Sequence, residues 1–316
     1  MITKPGFYDD IVEKDYHRDP CPVPSLSASI AKLLVNRSPM HAKNKHPRLN
    51  KDWVEEEKET TRPMDIGTAA HKLFLGKGRD VIKLPFADYR KDAAKQARDE
   101  AREKGAVPIL EDDMASVHLM VEGIRDQLAG TRFAKCFTDG KPEVTAAWQD
   151  RGGVWCRIRF DYLPDSVHQG GHVSVADLKT TGGSAHADDW QSIAFEKAYD
   201  YSSVLYPRGL KRLIPTIGDV EYNYLVVEQK EPFAINVVRF GNQALAEAEE
   251  MVEMAISTWG VCMKRGEWPG YDIEDGSTID PAFWRSSQKE LRRLALQHRI
   301  DRWQRPLRPT TTQAAE

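Results

Sequence analysis

The sequence predicts an α/β fold, because segments with a helical apolar period flank segments whose side chains alternate between apolar and polar. Three alternating segments lie in the middle of the chain, at 142–149, 154–162 and 172–180, and glycine-rich turns separate them. Helical patterns precede and follow them, and a second pair of strands is predicted at 221–228 and 233–240. This order of elements excludes a repeat protein and a helical bundle.

The segment before the strands is predicted to be mainly helical. Serines at 25–29 are typical of a helix N-cap, and a short amphipathic helix follows that stops near Ser38. Residues 88–104 combine high helix propensity with few apolar anchors, which predicts a solvated helix or a mobile segment. The other predictions here are an extended arm over 1–24, a loop over 44–64, and helices over 65–75 and 111–129.

Helical patterns also follow the strands. An aromatic-rich helix is predicted over about 188–206, and a long helix over 243–265. The end of the chain is strongly basic, and two interpretations of it stay open. It is either a solvated helix with a frayed end or an electrostatic contact for a polyanion, with Trp284 and Trp303 interleaved. Its charges are Arg285, Lys289, Arg292, Arg293, Arg299, Arg302, Arg305 and Arg308 against Glu290 and Asp301.

Composition limits the function classes. The 316 residues are 41% hydrophobic and 29% charged, with no apolar run near the roughly 20 residues that span a bilayer. The first residues lack the apolar core of a secretory signal. The four cysteines form no CxxC pair, which argues against a zinc ribbon, an iron–sulphur cluster or a disulfide framework and fits a reducing cytoplasm. The net charge of -3 neither indicates nor excludes nucleic-acid binding.

Carboxylates and one lysine gather on the predicted strands. Asp161 ends the second strand, while Asp177 and Lys179 lie two residues apart on the third and therefore project from the same side. Glu143 adds a carboxylate on the first strand. Carboxylates that converge beside an ammonium make a site for a divalent cation, and such a site suits the hydrolysis of a phosphodiester.

Each of these groups has an expected part in that chemistry. Asp161 and Asp177 are the natural ligands of a Mg²⁺ ion, with Glu143 as a third carboxylate and the backbone carbonyl of Leu178 as a further oxygen. Lys179 can orient or deprotonate the attacking water and offset the negative charge that grows on phosphorus.

The second strand has an apolar face and a charged face. Arg157 and Arg159 share the charged face with Asp161 and are expected to reach a neighbouring phosphate. Asp-x-Lys alone is a weak signal, and a surface strand with ordinary ion pairs would also carry it. The third strand, however, is apolar enough to be buried, and ionised side chains in a buried strand are costly unless they are paired or bind a metal.

These residues resemble a known family. Glu143, Asp161 and the segment 177–181 (Asp-Leu-Lys-Thr-Thr) resemble the PD-(D/E)XK nuclease superfamily, and more narrowly the phage and prophage exonuclease VIII (RecE-type) C-terminal nuclease. The similarity covers about residues 15–265. Three further segments carry the narrower match: Pro24–Ser29 with Ser38-Pro39, Gly67-Thr68-Ala69-Ala70-His71 as the GTAxH helix, and the aromatic segment Ala198–Tyr206.

The resemblance implies a fold and a division of the chain. A PD-(D/E)XK core has a central mixed sheet flanked by helices, here with an N-terminal helical elaboration. The arm and helix of residues 1–64 would belong to the nuclease domain, residues 65–268 would form its core, and residues 269–316 would be the basic tail.

The resemblance also implies an activity. A RecE-type enzyme is a Mg²⁺-dependent exonuclease, with Mn²⁺ as a substitute, that degrades one strand of linear duplex DNA from its 5′ end for phage or prophage recombination. Such enzymes form homo-oligomeric rings and work with a single-strand annealing protein, in the cytoplasm of a bacterial host. His71 would lie at the metal site and Tyr199 near the active site.

Some residues allow a second interpretation. A histidine on an apolar helix is usually a core residue, and the metal-site role of His71 depends on the family motif around it. The aromatic residues of 190–206 are expected to pack in the core, with Tyr199 as the exception. The family commonly carries a glutamine where this chain has Ser202, and Gln191 lies too far upstream to replace it with certainty.

Two alternatives to the exonuclease stay open. One is an endonuclease or a single-strand-specific nuclease on the same core. The other is a non-catalytic DNA-binding recombination protein that keeps the fold.

Overall fold

The computed structural model describes residues 1–54, 60–271, 273, 278–281 and 290–294. It contains two compact units, Met1–Gly270 and Tyr271–Glu316, and all elements named below belong to the first. Most of the basic tail, including Trp284 and Trp303, lies outside the described residues, so its two interpretations stay predictions.

The first unit is an α/β fold, as predicted. No helix in the described part of the chain is long and apolar enough to cross a bilayer. The elements in chain order are β1 (Gly6–Tyr8), α1 (Glu13–His17), α2 (Ala28–Asn36), α3 (Pro39–Lys45), α4 (Arg62–Leu75), β2 (Val81–Leu84), α5 (Asp92–Glu103), β3 (Val107–Leu110), α6 (Glu111–Leu128), β4 (Gly140–Gln149), β5 (Trp155–Pro164), β6 (Gly171–Thr181), α7 (Ala187–Glu196), α8 (Tyr199–Leu213), β7 (Ile217–Glu228), β8 (Ile235–Val238) and α9 (Asn242–Arg265).

Two three-stranded sheets form the centre of this unit. In the first, β4 pairs antiparallel with β5 on one side and with β1 on the other. In the second, β6 pairs parallel with β7, and β7 pairs antiparallel with β8, which makes this sheet mixed. The sheets adjoin where the Leu178 N–H of β6 donates to the Asp161 carboxylate of β5 at 2.8 Å.

Strand β6 is buried on both faces, as the sequence predicts for it. Val173 and Val175 pack in a large core with helices α2, α8 and α9. Leu178 points the other way, into a smaller core with α4 and α6. Because side chains alternate along a strand, Asp177 and Lys179 share the face of Val173 and Val175.

The structure differs from the predicted elements in several places, one of which is helix α3, where no helix was predicted. The aromatic segment 188–206 forms two helices, because the backbone at Ala198 is left-handed (φ 53°) and separates α7 from α8. The N-terminal segment, predicted as an extended arm, pairs with the sheet as strand β1. Its Ile2 and Ile11 pack in a small core that is separate from the two larger ones. A parallel pair, β2 with β3, was not predicted; α5 joins them and does form a helix.

A buried polar cluster fixes the N-terminal segment against β5. The Asp19 carboxylate accepts hydrogen bonds from the backbone and hydroxyl of Ser25 at 2.8 and 2.7 Å, and lies 3.1 Å from His46 Nε2. Arg157 lies 3.2 Å from the same carboxylate and donates to the Ser25 carbonyl at 2.8 Å. The prediction that Arg157 reaches a phosphate is wrong, because this residue is 3% exposed and its guanidinium is committed here.

The ionisation of Asp19 in this cluster is expected to make the stability of the fold depend on pH. Burial alone would raise the pKa of Asp19, but the hydrogen bond from His46, the charge of Arg157 and the bonds from Ser25 outweigh it and place the pKa at about 2. The unfolded carboxyl has a pKa of about 4, so ionised Asp19 stabilises the fold above that pH. This contribution, about 2 kcal/mol, is lost as the pH falls toward 2.

We therefore expect Asp19→Asn to lower the free energy of unfolding at neutral pH by about 3 kcal/mol, because the buried Arg157 guanidinium loses its charged partner. Asparagine tolerates the left-handed backbone at this position. Denaturant titrations at about pH 6 and about pH 3 should show a smaller loss of stability on acidification for this variant than for the parent. Asp15→Asn, at an exposed position of α1, is the control. An equal loss in Asp19→Asn and the parent would contradict the prediction.

Candidate metal centre

Four elements bring one charged side chain or more to a common point. Helix α4 supplies His71, and β4 and β5 supply Glu143 and Asp161. Strand β6 supplies Asp177 and Lys179. These residues are far apart in the chain and meet because α4 packs against β6 while β5 lies beside it.

His71 lies between two carboxylates. Its Nδ1 is 3.4 Å from Glu143 Oε1, and its Nε2 is 3.2 Å from Asp161 Oδ1. The ligand atoms that these three residues offer all lie within 4.8 Å of one another. Two carboxylates and an imidazole at this spacing fit a divalent cation that accepts oxygen and nitrogen ligands.

Asp177 lies behind this group. It is hydrogen-bonded to Asp161 and pairs with Lys179, whose Nζ is 2.7 Å from Asp177 Oδ2. The structure thus places Glu143, expected as the third carboxylate, in the ligand group instead of Asp177, because Asp177 is turned toward the ammonium. The backbone carbonyl of Leu178 was expected to bind the ion. Leu178 borders the cleft onto which this group of residues opens, and Lys179 Nζ lies 3.4 Å from its carbonyl.

Asp161 and Asp177 have opposed pKa shifts. Burial, and then the charge of Asp161, raise the pKa of Asp177 to about 8. Burial acts the same way on Asp161, but the charges of His71 and Lys179 and the hydrogen bond from Asp177 outweigh it, so the pKa of Asp161 lies well below its usual range. The two carboxyls therefore resist joint ionisation, and a divalent cation beside them would favour ionisation of both.

Lys179 is held as an ammonium. Burial would lower its pKa, but the charges of Asp177 and Asp161 raise it above the usual range. Its Nζ also lies 5.4 Å from the centre of the Tyr199 ring, a cation–π distance. The Tyr199 ring stacks on both Trp190 and Tyr224, with ring centroids at 5.6 and 5.3 Å, and those two rings also contact each other. Tyr199 thus contacts Lys179 through its ring, and the role that the resemblance implies for it stays a prediction.

Arg159 holds Glu143 in place. Its Nε lies 2.5 Å from Glu143 Oε2, and its guanidinium also donates to the Ile11 carbonyl at 2.7 Å. The backbone of Glu143 is left-handed (φ 57°), a conformation that costs a non-glycine residue about 1 kcal/mol or more and is found at sites where a side chain must be re-aimed. Unlike Arg157, Arg159 also borders the open cleft at this site, so its predicted phosphate contact stays a prediction.

Gln229, which the sequence analysis missed, and Gly67, which it placed in the GTAxH segment, set the contact between α4 and β6. Gln229, at the end of β7, donates to the Thr180 hydroxyl at 2.9 Å and to the Pro63 carbonyl at 2.8 Å. Gly67 lies against the same hydroxyl, and a Cβ there would approach it to 2.5 Å. The glycine of the GTAxH segment carried a signal, but nothing near Gln229 in the sequence linked it to α4.

The centre opens to a cleft of about 530 Å³. Its lining includes residues of α4, of α1 and of the α4–β2 connection. Ser202 is half-buried on α8 and Gln191 is exposed on α7, and neither lines this cleft.

Comparisons with known proteins agree with this architecture. Residues 27–275 match the model of a family described as a PDDEXK-like domain of unknown function (DUF3799). The crystal structure of a putative exonuclease from Eubacterium rectale matches with a TM-score of 0.51 and 15% identity over 85% of this chain and 93% of that chain, which shows a similar fold. The crystal structure of a phage-related exonuclease from Haemophilus somnus 129PT matches with a TM-score of 0.26 and 12% identity, over 66% of this chain and 85% of that chain. No curated protein matches.

The contact at Gly67 makes a prediction. In Gly67→Ala, the new methyl group would clash with Thr180 and move α4, and with it His71, away from β6. Contacts that orient a metal ligand are typically worth about 10- to 100-fold in metal affinity. We therefore expect the affinity for Mn²⁺, measured by calorimetry, to fall at least about tenfold.

The control is Gly123→Ala on α6, where a Cβ would meet its nearest atom at 3.6 Å, an ordinary contact. That variant should bind the ion like the parent and be more stable by about 0.5–1 kcal/mol. Parental affinity in Gly67→Ala would show that this contact does not position the site.

Proposed function

Since the chain belongs to the family of PDDEXK-like domains, we propose that it is a metal-dependent nuclease that hydrolyses the phosphodiesters of DNA. The observation that carries this proposal is the Lys179 ammonium, buried 2.7 Å from Asp177 and next to the group of His71, Glu143 and Asp161. A fixed positive charge beside a cation site is what a transition state with growing negative charge on phosphorus requires.

The residues divide the work. His71, Glu143 and Asp161 would hold the ion, which supplies Lewis-acid activation of the phosphate and of the attacking water when bound. Asp177 orients Lys179 and supports Asp161, while Arg159 fixes the Glu143 carboxylate. Lys179 donates hydrogen bonds to the phosphate and the water; because its pKa is raised, we assign it charge stabilisation and not proton abstraction.

The finer proposal is a RecE-type exonuclease. We infer a preference for Mg²⁺, with Mn²⁺ as a substitute, and resection of linear duplex DNA from 5′ ends during phage or prophage recombination. A homo-oligomeric ring around DNA and a single-strand annealing partner belong to the same proposal. Its support is the ordered set of motifs, above all GTAxH at 67–71 together with Asp-Leu-Lys-Thr-Thr at 177–181.

One experiment separates this proposal from its alternatives. Linear duplex labelled at either end, closed circular duplex and single strands are incubated with Mg²⁺ or with EDTA. We expect loss of the 5′-labelled strand from linear duplex, an intact circle and no reaction in EDTA. Cleavage of the circle would favour an endonuclease. Binding without metal-dependent release of nucleotides would favour a non-catalytic protein.

Lys179→Ala tests the observation that carries the proposal. Removing the ammonium should lower the cleavage rate by at least about 10²-fold, because charge in the transition state is no longer offset. Metal binding should persist, since the ion's ligands remain. The rate is read from release of labelled nucleotide, and folding from the thermal unfolding curve.

Lys264→Ala, at an exposed position of the last turn of α9, is the matched control and should cleave like the parent. Parental cleavage by Lys179→Ala would remove the lysine from the mechanism.

A further inference from the structure

The cationic side chains along the cleft differ in how firmly they are held. Lys179 is paired with Asp177, and Arg159 is bonded to Glu143 and to the Ile11 carbonyl. Both side chains are mostly buried. Arg79, on the connection between α4 and β2, borders the same cleft with 43% of its side chain exposed. It is therefore placed to meet a ligand that enters from solvent.

Arg79 is paired with a carboxylate that also borders the cleft. Its Nε lies 3.3 Å from Glu13 Oε2, and the Glu13 side chain is 40% exposed. An ion pair this open to water is worth only about 0–1 kcal/mol, so it is easily exchanged. The other oxygen, Glu13 Oε1, lies 3.8 Å from His17 Nε2, which gives the carboxylate a partner on its own helix if Arg79 leaves it.

A backbone phosphate is a stronger partner for this arginine. A guanidinium binds two phosphate oxygens through parallel N–H groups, a geometry that the single contact with Glu13 does not provide. A strand whose reacting phosphate lies at the metal centre would continue along the cleft. There it would pass residues of α1 and of the α4–β2 connection, which include Arg79.

We propose that Arg79 binds a non-reacting backbone phosphate of the bound strand. Before the strand binds, the Glu13 carboxylate pairs with Arg79, and the phosphate displaces it. The inference rests on the proposed function for the identity of the ligand, and it adds a substrate-binding residue and a competing internal anion. Glu13 thereby weakens nucleic-acid binding while Arg79 strengthens it.

The test measures binding of a short labelled single-stranded oligonucleotide with Ca²⁺ in place of Mg²⁺, over a series of salt concentrations. Arg79→Ala should weaken binding about tenfold, the worth of one charge-assisted bond. The slope of log K against log[salt] should fall in magnitude by ~0.7, the share of one phosphate on a single strand. Arg90→Ala, at an arginine 91% exposed outside the cleft lining, is the control and should change neither value.

The exchange is tested by a double-mutant cycle. Glu13→Gln should tighten binding two- to fivefold, on the order of a surface ion pair. In the Arg79→Ala background the same change should have no effect, because there is no arginine to release. Asp15→Asn removes an exposed charge from the same helix and should not reproduce the gain.

Either of two results would overturn the inference: parental affinity and salt slope in Arg79→Ala, or equal tightening by Glu13→Gln with and without Arg79. Measuring cleavage by the parent protein distinguishes failure of this inference from failure of the proposed function. A parent that cleaves DNA while Arg79→Ala keeps the parental KM refutes only this inference, whereas a parent that neither binds nor cleaves DNA refutes both.

Discussion

Two carboxyl groups that lie side by side, one buried and one mostly buried, are the constraint on which the rest of this structure depends. Asp161 and Asp177 cannot both ionise in such a place without compensation, because burial and mutual repulsion both oppose it. The fold compensates with the ammonium of Lys179, the imidazole of His71 and the Leu178 N–H. A protein gains nothing in stability from such an arrangement, which points to a site kept for its chemistry.

The same constraint explains why distant elements are fastened so closely. The Asp161–Leu178 bond joins the two sheets at the site itself, so Asp161 of β5 stays close to Asp177 and Lys179 of β6. On α4, the close approach at Gly67 places His71 over β6. The left-handed backbone of Glu143 adds a local strain that Arg159 holds in place through the carboxylate. Positions near a reacting centre must be fixed to fractions of an ångström, and these contacts supply that precision.

Much of the core could be predicted from sequence because its signals are local. The alternation in β5 and β6, and the two-residue spacing of Asp177 and Lys179, determine which side chains share a face. Alternation does not reveal what covers that face, so Arg157 was misassigned: Ser25 and Asp19, more than a hundred residues away, bury it. The break between α7 and α8 was missed for a similar reason, since tertiary packing sets the backbone of Ala198 against helix propensity. Gln229 and Arg79 gain their roles only from the folded arrangement.

The most direct test of the proposed metal site is to locate the ion itself. Crystals grown with Mn²⁺ give an anomalous signal that marks the metal without reference to activity. We expect a peak within bonding distance of His71, Glu143 and Asp161, with the Lys179 ammonium beside it. A peak bound by other residues, or none at Mn²⁺ concentrations that support cleavage, would contradict it.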